Sequence, residues 1–125
     1  MAKSIKKSLD GLIRVETQRR ALFNELARPD LFVAGSFNII GRTCGKETCH
    51  CAQEKAPRHP TPVLMSTDGT RRRCQVVRKT DAARVQELVD CYRRFREGLS
   101  DLKHLDSKLG ALFKELMTLR DQGYS

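Results

Sequence analysis

The amino-acid sequence predicts an α+β fold in which an N-terminal helix and a long, coiled-coil-like C-terminal helix flank a small zinc-stapled antiparallel sheet. Three observations support this prediction. Apolar residues recur with heptad-like spacing in both terminal thirds of the chain. An Asp-Gly pair, which is typical of a hairpin turn, separates two strand-like runs in the middle third. Three of the five cysteines fall within residues 44–51 and precede a histidine at position 59.

The 125 residues are about the length of one domain. Only 39% of the residues are apolar and tryptophan is absent, so a metal ion would supplement a small core. We therefore expect a single domain over 1–125 that is built from four consecutive segments. These are an N-terminal helix at 1–28, a zinc-binding β module at 29–79, a long helix or helix pair at 80–120 and a tail at 121–125.

The N-terminal segment has the pattern of an amphipathic helix. Its predicted apolar stripe consists of Ile5, Leu9, Leu12, Arg19, Phe23 and Leu26, with Ile13 and Leu22 beside it. The residue before a proline avoids the helical conformation, so the Arg28-Pro29 pair should end this helix. Because its stripe must be covered, we expect it to pack antiparallel against part of the C-terminal helix.

The middle segment predicts a strand over 37–42 and a hairpin whose turn is Asp68-Gly69. With that turn, Val63 would face Cys74 on the neighbouring strand. Alternation along the strands separates an apolar face from a polar face. The apolar face would carry Val63, Met65, Cys74 and Val76, and the polar face would carry Arg71, Arg73 and Gln75.

The C-terminal segment repeats apolar residues in alternating steps of three and four, which is the spacing of a coiled-coil seam. Thr80 or Asp81 is the expected N-cap, and Gly98 is a possible kink. Part of the seam should remain uncovered, between about Leu102 and Leu119, and could bind a second copy or another protein. The residues predicted for this interaction are Leu99, Leu102, Leu109, Phe113 and Leu116.

The spacing Cys44-x4-Cys49-x-Cys51 provides three thiolate ligands within eight residues, which favours Zn²⁺. His59 is the preferred fourth ligand, because the intervening loop is long enough to fold back. Cys74 is the rival for that position. A closed set of four protein ligands is structural rather than catalytic. Another metal or cluster, and plain thiols, are the less favoured alternatives.

The chain carries a formal charge of +9, which points to an anionic partner, and nucleic acid comes first. The predicted contacts are concentrated in and around the hairpin, where they would form one basic patch. They are Lys46, Arg58, Arg71, Arg72, Arg73, Arg78 and Lys79. Guanidinium groups suit both phosphates and guanine edges. The competing interpretation is that these charges serve solubility and protect a sheet edge.

We expect a cytoplasmic protein that is not an enzyme. No stretch approaches 18 consecutive apolar residues, which argues against a membrane span. No apolar segment follows the basic N-terminus, which argues against a signal peptide. The odd number of clustered cysteines favours metal binding in a reducing compartment. A thiol-dependent or zinc-dependent enzyme remains the less favoured alternative.

The run Gly41-Arg42-Thr43-Cys44-Gly45-Lys46-x-x-Cys49-x-Cys51-Ala52, with the later His59, resembles a small uncharacterised bacterial and archaeal family. That family has a C-G-K-x-x-C-x-C core followed by a histidine, and its members often occur near mobile elements. The resemblance covers residues 35–105 and implies that the three cysteines and His59 act together. The chain departs from the family at His59-Pro60-Thr61, where His-Gly-Pro is more usual, and it adds Cys74.

These observations predict a zinc-stabilised nucleic-acid-binding protein, with DNA favoured over RNA. It would act as an accessory or regulatory protein, possibly of a mobile genetic element. The alternative is a protein-interaction or oligomerisation module that uses the leucine seam of the C-terminal helix, with zinc purely structural.

Overall fold

The computed structural model describes residues 2–43, 45–49 and 58–124, and it confirms the α+β class. The elements in chain order are α1 (Ala2–Leu26), β1 (Ser36–Arg42), β2 (His59–Asp68), β3 (Arg71–Val76) and α2 (Ala82–Arg120). The three strands form one antiparallel sheet in the order β1-β2-β3. No helix among the described residues has the length and apolarity needed to cross a bilayer.

The turn of the β2–β3 hairpin lies one residue later than the Asp-Gly pair predicts, which shifts the pairing of the two strands by two positions. Asp68 pairs with Arg71, so the turn residues are Gly69 and Thr70. Gly69 has φ of 65° and Thr70 has a negative φ, which fits a turn with glycine at its first central position. The predicted pairing of Val63 with Cys74 is therefore wrong.

The shift by two residues nevertheless preserves the predicted faces of the hairpin. Val63 faces Val76, and Met65 faces Cys74. Side chains alternate along a strand, so a slip of two positions keeps each residue on the same face. The apolar set and the basic set that the sequence predicts are thus confirmed, although only Val63 is fully buried.

The chain divides into two compact units. The helical unit contains α1 and the part of α2 from Arg94 onwards. The sheet unit extends over Asp30–Arg93 and contains the three strands and the first part of α2. The buried apolar residues of the sheet unit, among those described, are Val63, Val77 and Val89.

The segment that leads into the sheet lies against the first part of α2. The backbone amide of Val33 donates a hydrogen bond of 3.2 Å to the carbonyl oxygen of Leu88. The rings of Phe32 and Tyr92 are 5.2 Å apart in a tilted arrangement, which is a favourable aromatic geometry. These contacts hold residues 32–33, which precede β1, against α2.

In the helical unit, α1 packs antiparallel to α2, as the sequence predicts. A methyl group placed on Gly11 would lie 3.8 Å from Leu112, and one placed on Gly98 would lie 2.7 Å from Leu26. The start of α1 therefore packs against the end of α2, and the end of α1 packs against residue 98 of α2. The residues turned inward are Ile5, Ser8, Leu12, Val15, Arg19, Leu22 and Leu26 on α1, and Gly98, Leu102, Leu105, Leu109, Leu112, Leu116 and Leu119 on α2.

This seam contains Ile5, Leu12, Arg19 and Leu26 of the predicted stripe on α1, but not Leu9 and Phe23. Ser8 is buried, whereas Leu9, Phe23 and Phe113 are 43%, 53% and 57% exposed. Each helix has two adjacent rows of apolar side chains. Packing against one partner helix buries only one of the two rows. The covered row on α2 excludes Asp106, which is exposed.

The α2 helix continues through Gly98 without a break. A larger side chain at this position would collide with Leu26, whereas one at Gly110 would meet nothing within 4 Å. We expect Gly98→Met to destabilise the chain by about 1–3 kcal/mol, because the added side chain would displace the Leu26 and Leu22 side chains that pack against Gly98. Gly110→Met should instead stabilise it by about 0.5–1 kcal/mol through helix propensity. Thermal unfolding followed by circular dichroism measures both changes, and equal shifts in the two variants would contradict this packing.

Candidate metal centre and basic surface

Two of the predicted metal ligands, Cys49 and His59, lie close together at the paired ends of β1 and β2. Arg42, the last residue of β1, lies opposite His59, the first residue of β2. The chain between them carries all three clustered cysteines, so the loop that contains them begins and ends at one edge of the sheet. Gly45 has φ of 81°, and the amide of Cys49 donates to the carbonyl of Lys46 at 3.2 Å, which closes a turn.

Within this loop, Cys49 meets His59. The Sγ atom of Cys49 lies 3.2 Å from Nε2 of His59, and both residues are half-buried. In tetrahedral zinc coordination, bonds of about 2.3 Å to sulfur and 2.0–2.1 Å to nitrogen place these atoms about 3.6 Å apart. The observed contact is slightly shorter, so a small rotation of either side chain would seat both atoms on one ion.

The other predicted ligands, Cys44 and Cys51, lie outside the described residues, as does His50. Within the described ranges, no group of three or more histidine, cysteine or carboxylate side chains could hold a metal ion. The pair formed by Cys49 and His59 is therefore the part of the predicted centre that the described chain contains.

The rival ligand, Cys74, is far from this pair. It faces Met65, which lies six positions along β2 from His59. At about 3.3 Å per residue, the two positions are separated by about 20 Å. Cys74 is also exposed, although it lies on the apolar face of the hairpin. The geometry thus favours His59 over Cys74 as the partner of Cys49.

The predicted basic residues do not form one patch, because the strand register separates them. Lys46 and Arg58 lie at the His59 end, where the Arg58 side chain covers Gly41. Arg73 faces Ser66 instead, seven positions from His59 and hence about 23 Å away along the strand. Arg78 and Lys79 follow β3 and are exposed in the turn that precedes α2.

The far end of the hairpin projects as a two-stranded ribbon. The last pair formed by β1 is Ser36 with Met65, so β2 beyond Met65 pairs only with β3. We call residues 66–73 the ribbon tip. Arg71 and Arg73 share one face of it and Arg72 lies on the other, with all three exposed. Among the carboxylates of the described residues, none lies within ion-pair distance of these three arginines.

The predicted interaction seam is divided between buried and exposed positions. Leu116 is 6% exposed, and Leu102 and Leu109 are half-buried in the helical unit. Leu99 and Phe113 are 38% and 57% exposed. The first three are thus largely occupied within the chain, and only the last two offer a surface.

The sequence reasoning missed a charged cluster in the middle of the helical unit. Arg19 forms two hydrogen bonds with Glu16, at 2.7 and 2.8 Å, and Arg20 approaches the same carboxylate at 3.3 Å. The hydrogen bonds from Arg19 hold the pKa of Glu16 below its ordinary value. Glu16 in turn raises the pKa of Arg19, with a smaller contribution from Asp106. The sequence did contain a signal for these ion pairs, because Arg19 and Arg20 follow Glu16 by three and four residues in a helix.

Comparisons of the chain with protein-family models, curated proteins and solved structures gave no significant match. The residues and their geometry therefore carry the functional argument.

Proposed function

We propose that this chain is a zinc-stabilised DNA-binding protein whose ribbon tip contacts the duplex. The observation that carries the proposal is the projection of three exposed arginines from a two-stranded ribbon. Guanidinium groups without a carboxylate partner in the described chain are available to phosphate oxygens. The overall charge of +9 would draw the protein to a polyanion and add to the association rate.

The shape of the ribbon tip favours DNA over RNA. The major groove of B-form DNA is wide enough to admit a two-stranded ribbon, whereas that of A-form RNA is deep and narrow. Arg71 and Arg73, on one face, would each contact a phosphate, and Arg72 would contact a phosphate from the other face. Lys46, Arg58, Arg78 and Lys79 would add weaker contacts elsewhere on the sheet unit.

The proposed role of zinc is structural. Cys44, Cys49, Cys51 and His59 would hold the ion and fix the loop against the ends of β1 and β2. The approach of Cys49 to His59 at 3.2 Å supports this assignment. The same contact would also suit a thiol nucleophile beside a base, which is the alternative enzymatic interpretation. The neighbouring cysteines favour the metal, because three thiolates and an imidazole complete a closed tetrahedral set.

The genetic context that we propose is that of an accessory or regulatory protein of a mobile element in a bacterial or archaeal cell. This part of the proposal rests on the family resemblance alone. The cytoplasm is the compartment in which the proposed thiolate ligands would stay reduced.

Binding to a random-sequence DNA duplex tests the proposal. Three phosphate contacts in B-form DNA give a slope of about −2.7 in a plot of log K against log salt concentration. Affinity should therefore fall about 40-fold between about 50 mM and about 200 mM salt. Fluorescence anisotropy of a labelled duplex measures this directly. Absence of binding at the lowest salt concentration would overturn the proposal.

A further inference from the structure

The helical unit has one apolar side and one polar side. Residues that directly follow seam positions include six large apolar side chains, which we call the apolar flank. They are Leu9, Ile13, Phe23, Leu99, Phe113 and Met117, with exposed fractions between 38% and 68%. A helix rotates about 100° per residue, so residues that follow the seam and those that precede it lie on opposite sides.

The opposite side, which we call the polar flank, lacks large apolar residues. It contains Ser4, Lys7, Gly11, Arg14, Gln18, Ala21 and Glu25 on α1, and Glu97, Asp101, His104, Lys108, Ala111, Glu115 and Thr118 on α2. In an antiparallel helix pair, the positions that follow the seam on both helices meet on the same side. Ile13 and Phe113 confirm this, because they line a single groove of about 370 Å³ together with Leu12, Glu16, Arg20 and Leu109.

Two helices alone cannot enclose a core, and the apolar flank is where a further layer would pack. Along α1 the order is apolar at Leu9 and Ile13, charged at Glu16 and Arg20, and apolar at Phe23. Antiparallel to it, α2 presents Met117 and Phe113, then Asp106 and Lys103, then Leu99. Both ends of the flank are therefore apolar and its centre is charged.

We propose that the apolar flank is the interface with a second copy of this chain, which completes a four-helix bundle. The flank is self-complementary because its order is symmetric. A two-fold axis through its centre would place the apolar ends of one copy against the apolar ends of the other. The central positions of the flank, Glu16, Arg20, Lys103 and Asp106, together carry no net charge in a chain of +9. Two such cationic chains can therefore meet on this face without like-charge repulsion, and Arg20 of each faces the acidic residues of the other.

A dimer of this kind also deepens the proposed DNA-binding role, because it would place two ribbon tips in one assembly. The self-association itself does not depend on DNA binding. Arg71→Ala/Arg73→Ala should leave the dimer intact while weakening DNA binding, so failure of one proposal can be distinguished from failure of the other.

Light scattering on the zinc-loaded full chain tests the dimer. The wild type should have twice the chain mass of 14.2 kDa. Ile13→Asp/Phe113→Asp should raise the dimer dissociation constant at least about 100-fold, because each carboxylate would be buried without a partner. Gln18→Asp/Ala111→Asp adds the same charge on the polar flank and should leave the dimer unchanged.

Ile13 and Phe113 are exposed within one chain, so helicity should be equal in the wild type and both double variants. Three results would overturn the proposal: a wild type that stays monomeric up to about 100 µM, equal dissociation of both double variants, or a dimer that survives Ile13→Asp/Phe113→Asp. A monomeric wild type that purifies with a different protein on this flank would also overturn it.

Discussion

Replacement of Cys49 by serine, or of His59 by alanine, is expected to release zinc and unfold the sheet unit. A structural zinc site contributes an apparent free energy of about 10–16 kcal/mol, which is comparable to the whole stability of a small domain. The sheet unit has few buried apolar residues among those described, so apolar burial could not replace the stability that the metal site contributes. Loss of one ligand would leave the remaining thiolates without the ion that we propose holds the loop.

The matched control is Cys74→Ser, because Cys74 is exposed and lies about 20 Å from the proposed site along β2. Mass spectrometry under native conditions should show one zinc per chain in the wild type and in the control, and none in Cys49→Ser. Thermal unfolding of the control should match that of the wild type. If Cys49→Ser retains one zinc per chain and its unfolding temperature, the proposed ligand set is wrong.

The double replacement Arg71→Ala/Arg73→Ala is expected to weaken duplex DNA binding by at least about tenfold at low salt. Both guanidinium groups lie on one face of the ribbon tip and are exposed, so their removal should leave the fold intact. Anisotropy with a labelled duplex measures the affinity, and circular dichroism checks the fold.

Lys7→Ala/Lys108→Ala removes the same charge from exposed positions of the helical unit, away from the apolar flank, and serves as the control. It lowers the net charge of the chain equally, so its effect on binding reports the general attraction between a cation and DNA. If the control weakens binding as much as the arginine replacement does, the ribbon tip has no special role.

The sequence was sufficient to predict the elements of the fold because each has a strong local signal. Heptad spacing defined both helices, Pro29 marked the end of the first, and the alternation around Gly69 defined the hairpin faces. The phase of the helix seam was not predictable in the same way. Leu9 and Phe23 are more apolar than Ser8 and Val15, and only the packed partner helix determines which row is covered.

In the candidate site too, some features could be predicted from the local sequence and others depended on how the strands pair. The pairing of Cys49 with His59 followed from ligand chemistry and from a loop long enough to return to the sheet. The distribution of the arginines did not follow, because charge counts along the chain do not contain the strand register. Nine residue positions separate the ends of β2. Arg58 directly precedes its first residue, His59, whereas Arg73 pairs with Ser66 near its other end. The isolated ribbon tip therefore emerged only from the paired strands.

The salt dependence of duplex binding by the wild type and by Arg71→Ala/Arg73→Ala, measured side by side, tests the central claim most directly. Each phosphate contact contributes about 0.9 to the slope of log K against log salt concentration. We expect the slope to become less steep by about 1.8 in the variant, with no change in zinc content. Parallel slopes for the two proteins would contradict contact between these arginines and the DNA backbone.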